Sequence, residues 1–99
     1  MVYRVFSSTV KPGKMQEARQ LLLDVAAYIM ENYGHKVEIL SNISGPSNRL
    51  HVVGHHESLG TLEKVFASYK TDSKFQEVMT KMLDVSENGS EISLYRVES

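Results

Sequence analysis

The sequence contains no cysteine and no tryptophan, and only two prolines and six glycines among its 99 residues. Without cysteine the chain can form no disulfide, no thiolate metal site and no cysteine nucleophile. The scarcity of glycine and proline, together with 41% hydrophobic and 23% charged residues, excludes a disordered or fibrous chain. The length predicts one domain over residues 1–99.

Long apolar runs and an excess of one charge are also missing. No segment approaches the ~18 consecutive apolar residues of a membrane span, and residues 1–5 alternate polar and apolar side chains, unlike a signal peptide. Eleven Lys and Arg residues balance twelve Asp and Glu residues, which leaves no basic surface for nucleic acid or an anionic membrane. We therefore expect a cytoplasmic protein without a nucleic-acid or membrane partner.

Motifs for cofactors and for serine nucleophiles are absent as well. The sequence has no P-loop, no G-x-G-x-x-G and no G-x-S-x-G. We expect no nucleotide, no metal and no other cofactor.

Hydrophobic periodicity predicts four strands and three helices. Strands are predicted over residues 2–10, 37–44, 50–57 and 91–97, and the Asn88-Gly89 pair predicts a turn before the last strand. A helix is predicted from Met15 to a stop at Gly34. Ser58 and the cluster Thr71-Asp72-Ser73 can each cap a helix, which predicts two consecutive helices with a bend between them.

The order of elements is β-α-β-β-α-β, which predicts an α+β, ferredoxin-like fold. In this fold a four-stranded antiparallel sheet carries its helices on one face.

The other face of the sheet predicts a second copy of the chain. Apolar side chains occupy both faces of two strands: Val37, Ile39 and Ile43 against Leu40, and Ile92 and Leu94 against Tyr95 and Val97. The helices cover one face. Pairing of the other, uncovered face with a copy of itself in a C2 homodimer would bury the apolar residues on that face. The alternative is a monomer with scattered surface hydrophobic residues, which is common.

Three segments carry a resemblance to a known superfamily. The first strand is followed by Val10-Lys11-Pro12-Gly13-Lys14 and a helix, and Glu57-Ser58-Leu59-Gly60-Thr61-Leu62-Glu63 is followed by Thr71-Asp72-Ser73-Lys74-Phe75-Gln76. This pattern resembles the dimeric α/β-barrel superfamily, in particular its NIPSNAP-like and antibiotic-biosynthesis-monooxygenase-like domains. The resemblance implies a ferredoxin-like protomer, a homodimer whose sheets close a shared barrel, and a cavity between sheet and helices.

The resemblance does not fix an activity, because that superfamily includes cofactor-free oxygenases, haem-degrading enzymes and many proteins without assigned chemistry. Both groups of enzymes typically place a Trp beside the substrate, and the haem-degrading members carry a ligand His on the second helix. This chain has no Trp, and residues 59–85 contain no His. Both absences count against those two activities.

Histidines cluster in the third predicted strand, at His51, His55 and His56. On a strand, His51 and His55 lie about 13 Å apart, too far to share a metal ion within one chain. A site completed by a partner chain stays open. His51 or His55 is our candidate acid or base, projecting into the cavity, because a histidine titrates near neutral pH. Alternatively, these residues are hydrogen-bonded strand residues, and the pattern does not tell which face of the strand meets the cavity.

Arg4 and Tyr69 are the candidate ligand-binding residues. Arg4 lies in the middle of the first strand, where it can hold an anionic ligand or pair with Glu38, Glu57 or Glu98. We expect the first and last strands to flank different neighbours, so that Arg4 and Arg96 need not touch. Tyr69 is expected near the mouth between the second helical region and the sheet.

The sequence therefore favours a small homodimeric α/β-barrel protein that binds a small, mostly apolar organic molecule in a cavity beneath its helices. Whether it transforms that molecule is open. Cofactor-free oxidation or an isomerase-type proton transfer would fit a pocket with His and Tyr. The alternative is a non-catalytic dimeric structural or regulatory module.

Overall fold

The computed structural model describes residues 1–87 and 90–98, so the predicted Asn88-Gly89 turn lies outside the described residues. The elements, in chain order, are β1 (Val2–Thr9), α1 (Met15–Tyr33), β2 (Val37–Ser41), β3 (Arg49–His56), α2 (Leu59–Thr71), α3 (Ser73–Val85) and β4 (Glu91–Arg96).

The four strands form one antiparallel sheet in the order β2-β3-β1-β4. This arrangement, with the helices on one face, confirms the predicted ferredoxin-like fold. β1 and β4 pair directly, with Arg4 opposite Leu94 and Val2 opposite Arg96. The expectation that the first and last strands flank different neighbours was therefore wrong, because the crossover through α2 and α3 brings β4 back beside β1.

The register of β1 against β3 decides which side chains face the helices. Arg4 lies opposite Gly54 and Phe6 lies opposite Val52. Since side chains alternate along a strand, the even-numbered residues of both strands point to the helical layer. Phe6 and Val52 belong to the same buried core as residues of α1 and α3.

Helix α1 packs on the sheet through the stripe that its sequence predicts. Ala18, Leu22, Val25 and Ile29 recur at three- and four-residue steps and are all buried. Each of the larger aliphatic side chains contributes about 1.5–3 kcal/mol when fully buried. The helix ends at Gly34, whose φ of 73° is left-handed and whose N–H bonds the carbonyls of Ile29 and Met30. The predicted stop is confirmed.

Helices α2 and α3 are separate because Asp72 interrupts the run of helical residues. Its backbone is extended, with φ −85° and ψ 107°, and its carboxylate accepts the N–H of Phe75 at 3.0 Å. The same carboxylate accepts the hydroxyls of Tyr28 and Tyr33, which fastens α1 to the α2–α3 junction. Ser58 caps α2 by accepting the N–H of Thr61. Both predicted caps are confirmed.

The end of β2 differs from the prediction, and the helices cover little of β4. β2 ends at Ser41, and Ile43 is fully exposed, so the predicted strand to residue 44 was too long. On β4, Ile92 and Leu94 lie on the helical side of the sheet yet are 57% and 51% exposed, because the helices leave this strand largely uncovered. Among the described residues, no helix is both long and apolar enough to cross a membrane.

Candidate functional site

A small cavity lies between the sheet and the helices. Its apolar wall includes Phe6 and Val52 from the sheet, Leu22 from α1 and Met79 from α3. Its volume is about 30 Å³, room for about two water molecules. Four polar side chains also line it: Arg4, His35, His56 and Tyr69.

Arg4 reaches the cavity from the middle of β1. Its guanidinium lies over the ring of Phe66, 4.6 Å from the ring centroid, which is a cation–π contact. Its Nε is buried and has no hydrogen-bond partner in the described part of the chain. Burial lowers the pKa of Arg4 from its usual value. Among the described residues no carboxylate forms an ion pair with it, so it makes none of the structural pairings that the sequence left open.

His56 lies beside Arg4 on the same face of the sheet and is only 4% exposed. Its ring covers Gly54, where an added Cβ would lie 3.0 Å from Nε2, so the glycine makes room for the imidazole. Its Nδ1 is buried, and none of the described residues gives it a hydrogen-bond partner. Burial first, and then the nearby His35 and Arg4, lower the pKa of His56 to about 4, so this imidazole is neutral at pH 7.

Tyr69 closes the same side of the cavity. Its ring stacks on Phe75 at 4.2 Å between centroids, and it is 5% exposed. Its hydroxyl lies 3.0 Å from Nε2 of His35. Burial raises the pKa of Tyr69 far above its usual value. The residue is therefore a neutral phenol that can donate or accept a hydrogen bond.

His35 is a cavity residue that sequence reasoning missed. It follows the Gly34 stop and precedes β2, so no strand or helix period marks its direction. Its ring centroid lies 4.7 Å from that of His56, and burial lowers its pKa. The only signal in the sequence was a histidine next to a helix stop, which does not distinguish a buried ring from an exposed one.

His51 and His55 lie on the opposite face of the sheet from the cavity. His51 pairs with Ser7 across the strands and His55 pairs with Tyr3, all odd-numbered positions. The expectation that His51 or His55 projects into the cavity beneath the helices was therefore wrong. The alternation along β3 places His56 there instead.

Both of these histidines have hydrogen-bond partners on that outer face. His51 lies 2.7 Å from the Ser7 hydroxyl at Nδ1 and 2.7 Å from the Asn42 side-chain oxygen at Nε2. His55 Nε2 lies 2.6 Å from a carboxylate oxygen of Glu38. These contacts agree with the alternative given above, in which the histidines are hydrogen-bonded strand residues. Within residues 1–87 and 90–98, no three metal-binding side chains come together.

An open groove adjoins the cavity beside β4. It measures about 220 Å³, and Arg4, Tyr69 and Phe75 line both spaces. Its other walls include Phe66 and Ile92, which are apolar, and Lys70 and Gln76. Arg4 therefore lies where the cavity and the open groove meet.

Taken together, the site can bind and orient a polar group. It offers a fixed positive charge, a neutral imidazole and a neutral phenol inside an apolar wall. Such groups hold a ligand through hydrogen bonds and charge.

Solved structures of other proteins share this fold over nearly its whole length. An uncharacterized NIPSNAP domain protein from Burkholderia xenovorans superposes with a TM-score of 0.83 at 13% identity, covering 100% of this chain and 96% of its own. A protein from Deinococcus radiodurans, proposed to be an antibiotic biosynthesis monooxygenase, has a TM-score of 0.78 at 15% identity, with 100% and 94% covered.

A third similar structure is a mutant of SnoaB, a cofactor-independent oxygenase from Streptomyces nogalater. Its TM-score is 0.77 at 18% identity, and the match covers 99% of this chain and 93% of that one. No family profile and no curated protein matches the sequence. Identities this low establish the fold alone. The chain has the ferredoxin-like fold of the NIPSNAP and antibiotic biosynthesis monooxygenase proteins, as its sequence resemblance predicted.

Proposed function

We propose that this chain works as a cytoplasmic homodimer that binds a small organic molecule in the cavity between sheet and helices. One observation carries the proposal: Arg4 Nε and His56 Nδ1 are both buried, have no hydrogen-bond partner within residues 1–87 and 90–98, and belong to side chains that line the same cavity. A buried polar group without a partner costs about 1–3 kcal/mol. Such groups are rare in folded proteins, and a bound ligand that accepts their hydrogens would offset the cost.

The homodimer is proposed from the outer face of the sheet. This face, which also carries the hydrogen-bonded histidines, is covered by none of the described helices. Its side chains include Tyr3, Val5, Val53, Leu40 and Tyr95. Leu40 and Tyr95 are 47% and 56% exposed. Pairing of two such faces about a two-fold axis would bury these side chains.

The alternative is a dimeric module without a ligand, and the small volume of the cavity favours it. A space of about 30 Å³ is far below the ~300–1,000 Å³ typical of pockets for drug-sized ligands. Binding of a larger molecule therefore requires Tyr69, Phe75 or Met79 to move, or requires the adjoining groove to hold most of it.

The test distinguishes these two functions through the methionine methyl groups. Met79 lines the cavity, whereas Met30 is 51% exposed on α1. With 13C-methyl-labelled methionine, titration with benzyl alcohol should shift the Met79 signal to saturation and leave Met30 unchanged. The same titration with the protein unfolded in urea controls for changes of solvent.

A Met79 signal that stays fixed up to the solubility limit of the probe would contradict ligand binding and favour the structural or regulatory module. Equal, unsaturated shifts of Met79 and Met30 would mean weak contact with the whole surface, and would count against the cavity in the same way.

A further inference from the structure

We propose that the ligand of this site is an organic monoanion, a carboxylate on a compact apolar body, whose carboxylate is held by Arg4. This inference rests on the proposed ligand binding and goes beyond it by naming the chemical class of the ligand.

The charges around the site are of one sign. The described residues lining the cavity and the groove include Arg4 and Lys70, and none of them is an Asp or a Glu. The whole chain has slightly more acidic than basic residues, 12 against 11, so the lining differs from the average surface. A partly buried guanidinium without a counter-ion favours an anion that replaces its lost hydration.

The arrangement of donors also suits a carboxylate. A guanidinium presents a planar fork of N–H groups that matches the two oxygens of a carboxylate. Among the described residues, neither Nε of Arg4 nor Nδ1 of His56 has a hydrogen-bond partner that a ligand would have to replace. A neutral His56 carrying its proton on Nδ1 adds a second donor without adding a second charge.

The spaces on either side of Arg4 determine where the apolar body would lie. The cavity of about 30 Å³ admits only a head group, whereas the groove of about 220 Å³ has the size of a ring or a short chain. Phe66, Phe75 and Ile92 give the groove an apolar floor. The carboxylate would therefore point inward to Arg4, with the body in the groove.

The experiment compares an anion with a neutral molecule of similar shape. Benzoate and benzyl alcohol are titrated into the wild-type protein and into Arg4→Gln, and both the dissociation constant and the Met79 methyl shift are recorded. We expect the wild type to prefer benzoate by about tenfold or more, since hydrogen bonds to charged groups contribute that much affinity. Arg4→Gln should lose this preference, so that the two probes bind it with similar affinity.

Arg19→Gln is the matched control, because Arg19 is exposed on α1 and its loss changes the net charge equally. It should keep the preference for benzoate. If Arg4→Gln fails to fold by circular dichroism, Arg4→Lys replaces it. Lys retains the charge without the planar fork and should keep only part of the preference.

The outcomes separate this inference from the proposed function. Equal affinity of the wild type for both probes, with a shift of the Met79 signal, would contradict the proposal that the ligand is an anion. It would leave the proposed ligand binding intact. Loss of benzoate preference in Arg19→Gln as well would show a general charge effect and overturn the role of Arg4. If neither probe binds, the proposed function itself is contradicted.

Discussion

At the scale of single residues, the face to which a side chain points decides whether it lines the cavity, whatever its residue type. Arg4 and Tyr69 were identified as ligand-binding candidates from the sequence, and both line the cavity. The histidines were not correctly placed, since alternation shows that His55 and His56 point to opposite faces and leaves open which face meets the helices. Only the packing of α1 against the sheet, which joins residues far apart in sequence, settles that question.

The buried His56 predicts how stability depends on pH. Its pKa is about 4 in the folded chain and about 6.5 in an unfolded one. Between these values the unfolded state binds more protons, so stability is full above pH 6.5 and falls as the pH drops towards 4. We expect the free energy of unfolding in urea to decrease by on the order of 1–2 kcal/mol from pH 7 to pH 5 through this residue. His35, whose pKa is also lowered, acts in the same direction.

The variant His56→Gln should show a smaller decrease over this range, because its side chain does not titrate. His51→Gln is the matched control: it replaces a histidine on the opposite face and leaves His56 in place, so the full decrease should remain. An equal decrease in wild type and His56→Gln would contradict the burial of a neutral His56.

At the scale of elements, local signals were sufficient for the helices and insufficient for the strand ends. Gly34 and Asp72 end and begin helices through their own backbone and side-chain chemistry, which the sequence shows directly. The end of β2 depends on its partner, because the last pair of the ladder joins Ser41 to Leu50. Ile43 continues the alternating pattern but has no strand beside it, so periodicity overestimated the strand.

The left-handed Gly34 predicts the cost of a side chain at the end of α1. Its φ of 73° is strained for any residue with a Cβ, although the space around it is open. Gly34→Ala should therefore lower the free energy of unfolding by about 1 kcal/mol. Urea denaturation measures the change.

Gly60→Ala provides the control of opposite sign. Gly60 lies in the first turn of α2, without a positive φ, and its added Cβ would lie 3.8 Å from the Ser58 hydroxyl. This substitution should raise stability by up to about 1 kcal/mol, since alanine favours a helix. Equal losses at both glycines would contradict the assignment of Gly34 as a conformational stop.

At the scale of the whole molecule, the fold followed from the order of its elements. A β-α-β-β-α-β order with short connections leaves few ways to pair four strands, and the ferredoxin-like sheet is among them. Assembly does not follow from that order, because it depends on what covers the outer face of the sheet. Leu40 and Tyr95 are exposed on that face, and the proposed homodimer would bury them.

The proposed homodimer predicts a particle of twice the 11.2 kDa of the chain in sedimentation velocity. Val5→Lys places a charge at the centre of the outer face, on β1, and should shift the protein to monomer, since an unpaired charge in an interface is costly. Leu83→Lys, on the exposed side of α3, should leave the dimer intact. A wild-type monomer at micromolar concentration, or dissociation by both variants alike, would contradict sheet-to-sheet pairing.

The central claim is that Arg4 and His56 hold a ligand between the sheet and the helices. The most direct measurement is a high-resolution crystal structure of the protein grown with benzoate. We expect density for the carboxylate within hydrogen-bond distance of Arg4, with the ring against Phe66 in the groove beside β4. Density for water alone at Arg4 Nε and His56 Nδ1, in a cavity otherwise closed by side chains, would contradict it.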